Sequence, residues 1–160
     1  MTTYTARPIP AEVLKELRTA DDAGRPPVPV TDEEGGAPLR CCLRRSLPGE
    51  RIALVSYAPL RRWAAGTGAD PGAYDEQGPV FVHAGECAGP AGDALPFTDS
   101  DSHRVLRRYS ADGRILGGRL VEHPDAFAPA LAEAFADPEV ALAHVRAVEY
   151  GCFLFEVRRA

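Results

Sequence analysis

The stretch VALAHVRAVEYGCFLFEVR, residues 140–158, decides the fold because it reads as two β-strands joined by a tight turn. Apolar and polar residues alternate along both halves, which is typical of strands whose two faces have different surroundings. Glu149-Tyr150-Gly151 separates the halves, and Gly151 suits the left-handed position of a three-residue hairpin loop. The stretch therefore predicts an antiparallel hairpin of residues 140–148 and 152–158.

This turn also predicts the register of the hairpin. It sets Val148 opposite Cys152, Arg146 opposite Leu154, and His144 opposite Glu156. One face is then apolar and faces the core: Ala143, Val145, Ala147, Phe153, Phe155 and Val157. The other face presents His144, Arg146, Cys152 and Glu156. Directly opposed residues have Cβ atoms roughly 4.5–5.5 Å apart, so Glu156 is expected to orient His144 as a base. A solvated outer face with an ordinary His–Glu pair is the alternative.

The rest of the chain predicts an α+β fold, a single domain of mostly antiparallel sheet built from hairpins and packed by one or two helices. The helices are expected at about 10–18 and 125–136. Further strands are expected at 39–45 with 51–57, turned by Leu47-Pro48-Gly49-Glu50, at 80–83, and at 103–109 with 114–122. Residues 21–38 and 59–77, rich in Gly and Pro or aperiodic, are expected to form long surface loops.

The composition limits the partners of this chain. At 160 residues it fits one domain, residues 1–160. The net charge of -5 makes nucleic acid an unexpected partner, and no run approaches the ~20 apolar residues of a membrane span. We therefore expect a cytoplasmic protein with reduced thiols and a small-molecule ligand.

Within a strand, adjacent Cys41 and Cys42 are expected to point to opposite faces. The oligomeric state is left open, and a homodimer is compatible with the sequence.

The candidate site residues are reactive side chains at expected strand ends. In GPVFVHAGEC, residues 78–87, His83 and Cys87 follow an apolar run. The expected catalytic residues are His83, Cys87, His144 and Glu156, and the expected substrate-binding residues are Arg40, Arg146 and Cys152. The first hypothesis is accordingly a small enzyme acting on a small anionic metabolite, in a pocket bounded by the sheet and the 59–77 loop.

Two alternatives stay open beside the enzyme. One is a non-catalytic module that binds a small molecule or a protein on its polar hairpin face. The other is a zinc or ferrous iron protein using His83, Cys87 and His144, whose side chains suit those metals. No motif implies a cofactor, since the chain has no Cys-x-x-Cys, His-Glu-x-x-His, Gly-x-Gly-x-x-Gly or P-loop.

Several short blocks resemble a bacterial family catalogued as domain of unknown function 1203, over residues from about 38 to the C-terminus. They are Pro48-Gly49-Glu50, the 78–83 strand with Cys87, Phe135-Ala136-Asp137-Pro138-Glu139-Val140, His144-Val145-Arg146 and Gly151-Cys152. The resemblance implies a single-domain α+β protein and highlights His83, Cys87, His144, Arg146 and Cys152 without assigning roles. Members often show Pro-Cys-Arg where this chain has Pro38-Leu39-Arg40, so Cys41 or Cys42 would have to substitute for the missing cysteine.

Overall fold

The structure is a computed structural model that describes residues 4–160. In chain order its elements are β1 (Tyr4–Arg7), α1 (Ala11–Thr19), β2 (Val30–Asp32), β3 (Pro38–Leu39), β4 (Arg44–Arg45), β5 (Glu50–Tyr57), α2 (Pro59–Thr67), β6 (Gly78–His83), β7 (Arg104–Tyr109), β8 (Ile115–Val121), α3 (Phe127–Ala136), β9 (Leu142–Ala147) and β10 (Phe153–Arg159). Short 3-10 turns cover Gly72–Tyr74 and Pro124–Ala126. The predicted α+β class with mostly antiparallel sheet is confirmed.

The described chain forms two units, each containing one five-stranded sheet. The first unit comprises residues 4–7, 58–76 and 98–160, and the second comprises residues 8–57 and 77–97. The expectation that residues 1–160 form a single domain stays a prediction. Between residues 4 and 160 there is no helix with the length and apolar character needed to cross a membrane.

The sheet of the first unit has the strand order β1-β10-β9-β7-β8 and is antiparallel throughout. Both hairpins predicted in this region, β7 with β8 and β9 with β10, are confirmed. His144 lies opposite Glu156 as predicted. A register shift between Phe153 and Phe155 sets Arg146 opposite Phe153, so the predicted pairing of Arg146 with Leu154 is wrong. Such a bulge adds one residue to one strand and leaves the register beyond it displaced. The prediction that Phe153 faces away from His144 is also wrong, because the two rings are 5.0 Å apart, centroid to centroid.

The segment 59–77 is not the long surface loop that we predicted, because its first half is the helix α2. Pro59 occupies the first turn, where a missing N–H costs nothing, and Gly68 ends the helix in the left-handed conformation. Leu60 and Trp63 pack with Tyr109 and Leu142 in a buried cluster. The first half of the segment is therefore part of the core of the first unit and is not a loop that could bound the expected pocket.

The second unit has the strand order β2-β5-β6-β3-β4. The predicted hairpin of 39–45 with 51–57 is wrong, because residues 38–45 fold back on themselves as β3 and β4. Strand β3 lies parallel to β6 through Leu39 and Phe81, and β6 rather than β4 pairs with β5. The predicted loop 21–38 also contains β2, which pairs with β5. The helix predicted at 10–18 is confirmed as α1.

Candidate metal centre

Four side chains of the second unit bring their ligand atoms together: Cys41, Cys42, His83 and Cys87. The three sulfur atoms and one imidazole nitrogen all lie within 4.8 Å of one another. Cys41 and Cys42 are buried, whereas His83 and Cys87 are partly exposed. Cysteine and histidine are the side chains that zinc prefers, and three cysteines with one histidine is a common set in its closed, four-ligand sites.

Cys41 and Cys42 reach the same point because they lie in a turn rather than in a strand. Residues 40–43 connect β3 to β4, and the N–H of Leu43 donates to the carbonyl of Leu39 at 2.9 Å. Leu43 itself has a φ of 58°, in the left-handed region. The expectation that adjacent cysteines point to opposite faces is therefore wrong, and their Sγ atoms are 4.0 Å apart.

His83 lies at the end of β6 and directs Nδ1 at these sulfur atoms. Its Nδ1 is 3.4 Å from Sγ of Cys41 and 3.8 Å from Sγ of Cys42. The main-chain N–H of His83 also donates to Sγ of Cys41 at 3.2 Å. Parallel pairing of β3 with β6 brings the 40–43 turn to this strand end, and the N–H of Arg40 donates to the carbonyl of Phe81 at 2.9 Å.

The other ring nitrogen of His83 is held by a carboxylate. Nε2 lies 2.7 Å from Oε2 of Glu50. Arg44 donates to both Glu50 oxygens, at 2.8 and 3.0 Å, and the N–H of Leu47 donates to Oε1 at 2.6 Å. These hydrogen bonds, that of Arg44 foremost, lower the pKa of Glu50 well below its usual range. Because Glu50 is ionised, it accepts a hydrogen bond from Nε2 of His83, which leaves Nδ1 facing the sulfur atoms.

The contact between the Cys41 and Cys42 thiols shifts their pKa values in opposite directions. A hydrogen bond from the Cys41 thiol lowers the pKa of Cys42 to about 6, and Cys41 takes the opposite shift, its pKa being raised first by that hydrogen bond and then by burial. One thiolate is therefore present at neutral pH. A thiolate is the form of cysteine that binds metals and attacks electrophiles.

The spacing of the Cys41, Cys42 and His83 ligand atoms fits a tetrahedral ion, and the Cys87 sulfur lies within 4.8 Å of all three. With Zn–S bonds of about 2.3 Å and a Zn–N bond of about 2.0–2.1 Å, tetrahedral angles put ligand atoms about 3.6–3.8 Å apart. The observed separations of 3.4, 3.8 and 4.0 Å within the Cys41, Cys42 and His83 set bracket these values. The carboxylate on the far nitrogen is the usual outer partner of a histidine that binds zinc.

The other predicted catalytic pair lies in the first unit and is buried. His144 is 1% exposed and Glu156 is 6% exposed, and Nε2 is 3.1 Å from Oε2. The rings of Tyr109 and Phe153 are 4.9 and 5.0 Å from the imidazole, centroid to centroid. The alternative of a solvated outer face is therefore wrong, because the outer side of the hairpin is covered.

Burial and the hydrogen bond set the charges of this pair. Burial lowers the pKa of His144 below 6.5, against the opposing effect of Glu156. Burial by itself would raise the pKa of Glu156, but the hydrogen bond and charge of His144 and the charge of Arg158 lower it. Both lowered pKa values favour the same protonation state near neutral pH. In that state neutral His144 donates a hydrogen bond from Nε2 to the ionised carboxylate of Glu156.

The three predicted substrate-binding residues are divided between the two units. Arg40 belongs to the second unit and is 2% exposed, with Nη1 against the carbonyl of Pro38. Arg146 and Cys152 belong to the first unit and are partly buried. Nη2 of Arg146 donates to the carbonyl of Gly151 at 2.8 Å and lies 3.7 Å from Oε2 of Glu76.

Sequence reasoning found half of the cluster. Of the three expected metal ligands, His83 and Cys87 are brought together by the structure, whereas His144 is not in the cluster and belongs to the first unit. The sequence did not place Cys41, Cys42 and Glu50 with His83 and Cys87. The parallel pairing of β3 with β6 joins residues that are far apart in the chain, so it leaves no short motif in the sequence. The family resemblance contained a signal for these cysteines. Members often have a cysteine where this chain has Leu39, and here Cys41 and Cys42 follow two and three residues later.

By its structure, this chain is an α+β protein with a site of three cysteine thiols and one histidine imidazole. The chain belongs to the family described as protein of unknown function (DUF1203), whose model matches residues 36–159. That match includes all four residues of the cluster and confirms the resemblance. No curated protein and no solved structure matches the chain.

Proposed function

We propose that this protein is a metal protein that binds one zinc ion through Cys41, Cys42, His83 and Cys87. The observation that carries the proposal is the convergence of the four ligand atoms within 4.8 Å of one another. Three sulfur ligands and one nitrogen favour zinc over calcium, magnesium or manganese, which take oxygen ligands. Ferrous iron is the second metal that this ligand set accommodates.

A site with four protein ligands has no open position, so the role proposed for the ion is structural. The ligands come from three places in the second unit: the 40–43 turn, the end of β6 and the loop after it. Strands β3 and β4 have only two residues each, so few main-chain hydrogen bonds join them around this turn. Metal binding would add stability to the turn, because the energy of binding is available only in the folded state.

Cobalt(II) substitution tests the proposal directly. Protein freed of metal under reducing conditions is titrated with Co²⁺, and visible absorption is recorded. The wild type is expected to develop the intense bands of a tetrahedral cobalt–thiolate site, saturating at about one ion per chain. Cys42→Ser and His83→Ala are expected to lose or shift these bands.

The fourth cysteine provides the matched control for that titration. Cys152 is outside the cluster and belongs to the first unit. Cys152→Ser is therefore expected to give the spectrum of the wild type at the same stoichiometry. A spectrum of weak octahedral bands, or one that Cys42→Ser leaves unchanged, would count against the proposed ligands.

A thiol enzyme is the second candidate, favoured by one specific observation. Glu50, His83 and a cysteine form a chain in which carboxylate, imidazole and sulfur are 2.7 and 3.4–3.8 Å apart. This is the order of orienting group, base and nucleophile in cysteine hydrolases and transferases. It ranks second because Cys41 is 1% and Cys42 is 6% exposed, which hinders attack on a substrate.

Alkylation separates the two candidates. A free thiolate nucleophile is expected to react with iodoacetamide equally well before and after treatment with zinc. Under the metal proposal, the partly exposed Cys87 is protected in zinc-loaded protein and reacts once the ion is removed, whereas Cys152, which is also partly exposed, reacts alike in both. Peptide mass mapping of the modified cysteines distinguishes these patterns.

A further inference from the structure

Cys87 is the member of the sulfur cluster that a small oxidant in solution can reach. It is partly exposed and borders an open cavity of about 670 Å³ between α1 and the loop that follows β6. By contrast, Cys41 is 1% exposed and Cys42 is 6% exposed. Exposure is one of the properties that make a cysteine susceptible to oxidation. The first sulfur of the cluster that an oxidant meets is therefore that of Cys87.

Cys42 is placed to form a disulfide with Cys87. The two thiols are in hydrogen-bond contact, and their sulfur atoms lie within 4.8 Å of each other. To bond, these atoms must approach by no more than about 3 Å. Cys87 belongs to a segment, residues 84–103, that contains neither helix nor strand. Such a segment shifts more readily than a paired strand, so the approach leaves the sheet intact.

Cys41 is the less suitable partner. Adjacent residues have Cα atoms about 3.8 Å apart, whereas the Cα atoms of a disulfide are about 4.4–6.8 Å apart, so a bond between Cys41 and Cys42 is disfavoured. Sγ of Cys41 also accepts a hydrogen bond from the main-chain N–H of His83 at 3.2 Å, and a bond to Cys87 would disturb it. The geometry therefore favours Cys42 over Cys41 as the partner of Cys87.

We propose that Cys87 is a site of oxidation by hydroperoxides, and that its oxidation forms a disulfide with Cys42 and releases the metal ion. Two of the four ligand atoms are then bonded to each other and no longer bind zinc. The release of zinc rests on the proposed metal site, whereas the disulfide requires only the cluster of sulfur atoms. Zinc has no redox chemistry of its own, so the thiols supply the electrons.

The reaction has two steps and uses one hydroperoxide for each disulfide. In the first step the sulfur of Cys87 attacks one peroxide oxygen, the O–O bond breaks, and the other oxygen takes up a proton and leaves as water or an alcohol. Cys87 is then a sulfenic acid. In the second step the sulfur of Cys42 attacks that of Cys87, the S–S bond forms, the S–O bond breaks, and hydroxide leaves and is protonated to water. The two thiols lose two electrons, and the peroxide gains them.

Peroxide treatment of the zinc-loaded wild type tests the proposal. Hydrogen peroxide is the probe, a chromophoric chelator reports released zinc, and peptide mass mapping after alkylation of the remaining thiols reports the disulfide. We expect release of zinc together with formation of a disulfide between Cys42 and Cys87. Treatment with a phosphine reductant and fresh zinc is expected to restore the site, because a disulfide is reversible whereas a sulfinic acid is not.

Single substitutions, compared in the reduced and metal-free protein, test the assigned pair. Cys41→Ser keeps both members and is expected to form the disulfide. Cys42→Ser is expected to lose it. Cys87→Ser is expected to lose it and also to consume peroxide more slowly, because the thiols left in the cluster are buried. Cys152→Ser is the matched control, since Cys152 is partly exposed but outside the cluster, and it is expected to form the disulfide like the wild type.

The metal-free wild type keeps the two proposals apart. A disulfide between Cys42 and Cys87 in protein that never binds zinc would support the oxidation site while the metal proposal fails. Zinc-loaded protein that keeps its zinc and its thiols in peroxide would overturn the oxidation site and leave the metal proposal intact. A wild-type disulfide that includes Cys41, or oxidation of Cys87 without any disulfide, would also overturn it.

Discussion

His83 with Glu50 in the second unit, and His144 with Glu156 in the first, are the same chemical pair in two different surroundings. Each has its Nε2 against a carboxylate, at 2.7 and 3.1 Å. The His144 side chain is 2% exposed between two aromatic rings, whereas that of His83 is 13% exposed and turns Nδ1 to two sulfur atoms. Because the histidine–carboxylate contact is common to both pairs, the surroundings of each pair must set its role.

The largest difference between the pairs is expected in metal binding. His83→Ala removes one of four proposed ligands, and we expect zinc affinity to fall by more than about a hundredfold, beyond the effect of losing an outer partner. His144→Gln, which retains a donor for Glu156, is expected to bind zinc like the wild type. Competition with a chromophoric chelator measures both. Equal losses in two folded variants would remove the distinction between the pairs.

The buried pair is expected to matter for stability. His144→Ala removes one hydrogen-bond donor from the buried carboxylate of Glu156, which Arg158 still contacts, and such a loss costs about 1–3 kcal/mol. The double variant His144→Leu with Glu156→Leu removes both polar groups and is expected to cost clearly less. Urea unfolding at pH 7 gives the free energies. A cost below about 1 kcal/mol for His144→Ala would contradict the account of this pair.

The outer partner of His83 is expected to have an intermediate effect. Glu50→Gln keeps the shape of the side chain but weakens the hydrogen bond to Nε2, so zinc affinity should fall about 10- to 100-fold, or about 1.4–2.7 kcal/mol. Glu149→Gln is the matched control, since Glu149 pairs with His103 at 2.6 Å on the exposed surface of the first unit. An effect of Glu149→Gln as large as that of Glu50→Gln would show that the loss is not specific.

The smallest effect expected is a pH dependence that belongs to His144. Burial lowers its pKa below 6.5 in the folded state, so the unfolded chain binds a proton first as the pH falls. Stability from this residue is present above pH 6.5 and is lost below it, by up to about 1.4 kcal/mol per pH unit. His144→Gln should reduce the slope between pH 6.5 and 5.5 relative to the wild type. Parallel slopes in urea unfolding would contradict this assignment.

Local patterns predicted much of the fold. The β9–β10 hairpin follows from alternation and from Gly151, whose φ is 74°, and it predicted the opposition of His144 and Glu156 correctly. The Pro48-Gly49 turn is also present, with Gly49 at a φ of 89°. The strands that this turn joins do not pair with each other, because β6 and β3 lie between them in the sheet. Turn chemistry is encoded within four residues, whereas strand order is not.

The remaining errors have two physical sources. Leu60, Trp63, Ala64 and Thr67 have helical spacing, but alanine and glycine around them dilute the apolar pattern, so α2 was read as a loop. Without that helix, nothing in the predicted fold covers the face of the β9–β10 hairpin that carries His144 and Glu156, so a solvated face stays open as an alternative. The cysteine cluster depends on a two-residue strand and on the left-handed backbone of Leu43. Neither feature can be predicted from the alternation of apolar and polar residues.

The metal content of protein purified without added chelator tests the central claim most directly. Elemental analysis by mass spectrometry is made on the wild type, on Cys41→Ser with Cys42→Ser, and on Cys152→Ser. We expect about one zinc ion per chain in the wild type and in Cys152→Ser, and almost none in the double variant. Wild-type protein that contains no metal, and that takes up neither zinc nor ferrous iron after reduction, would contradict it.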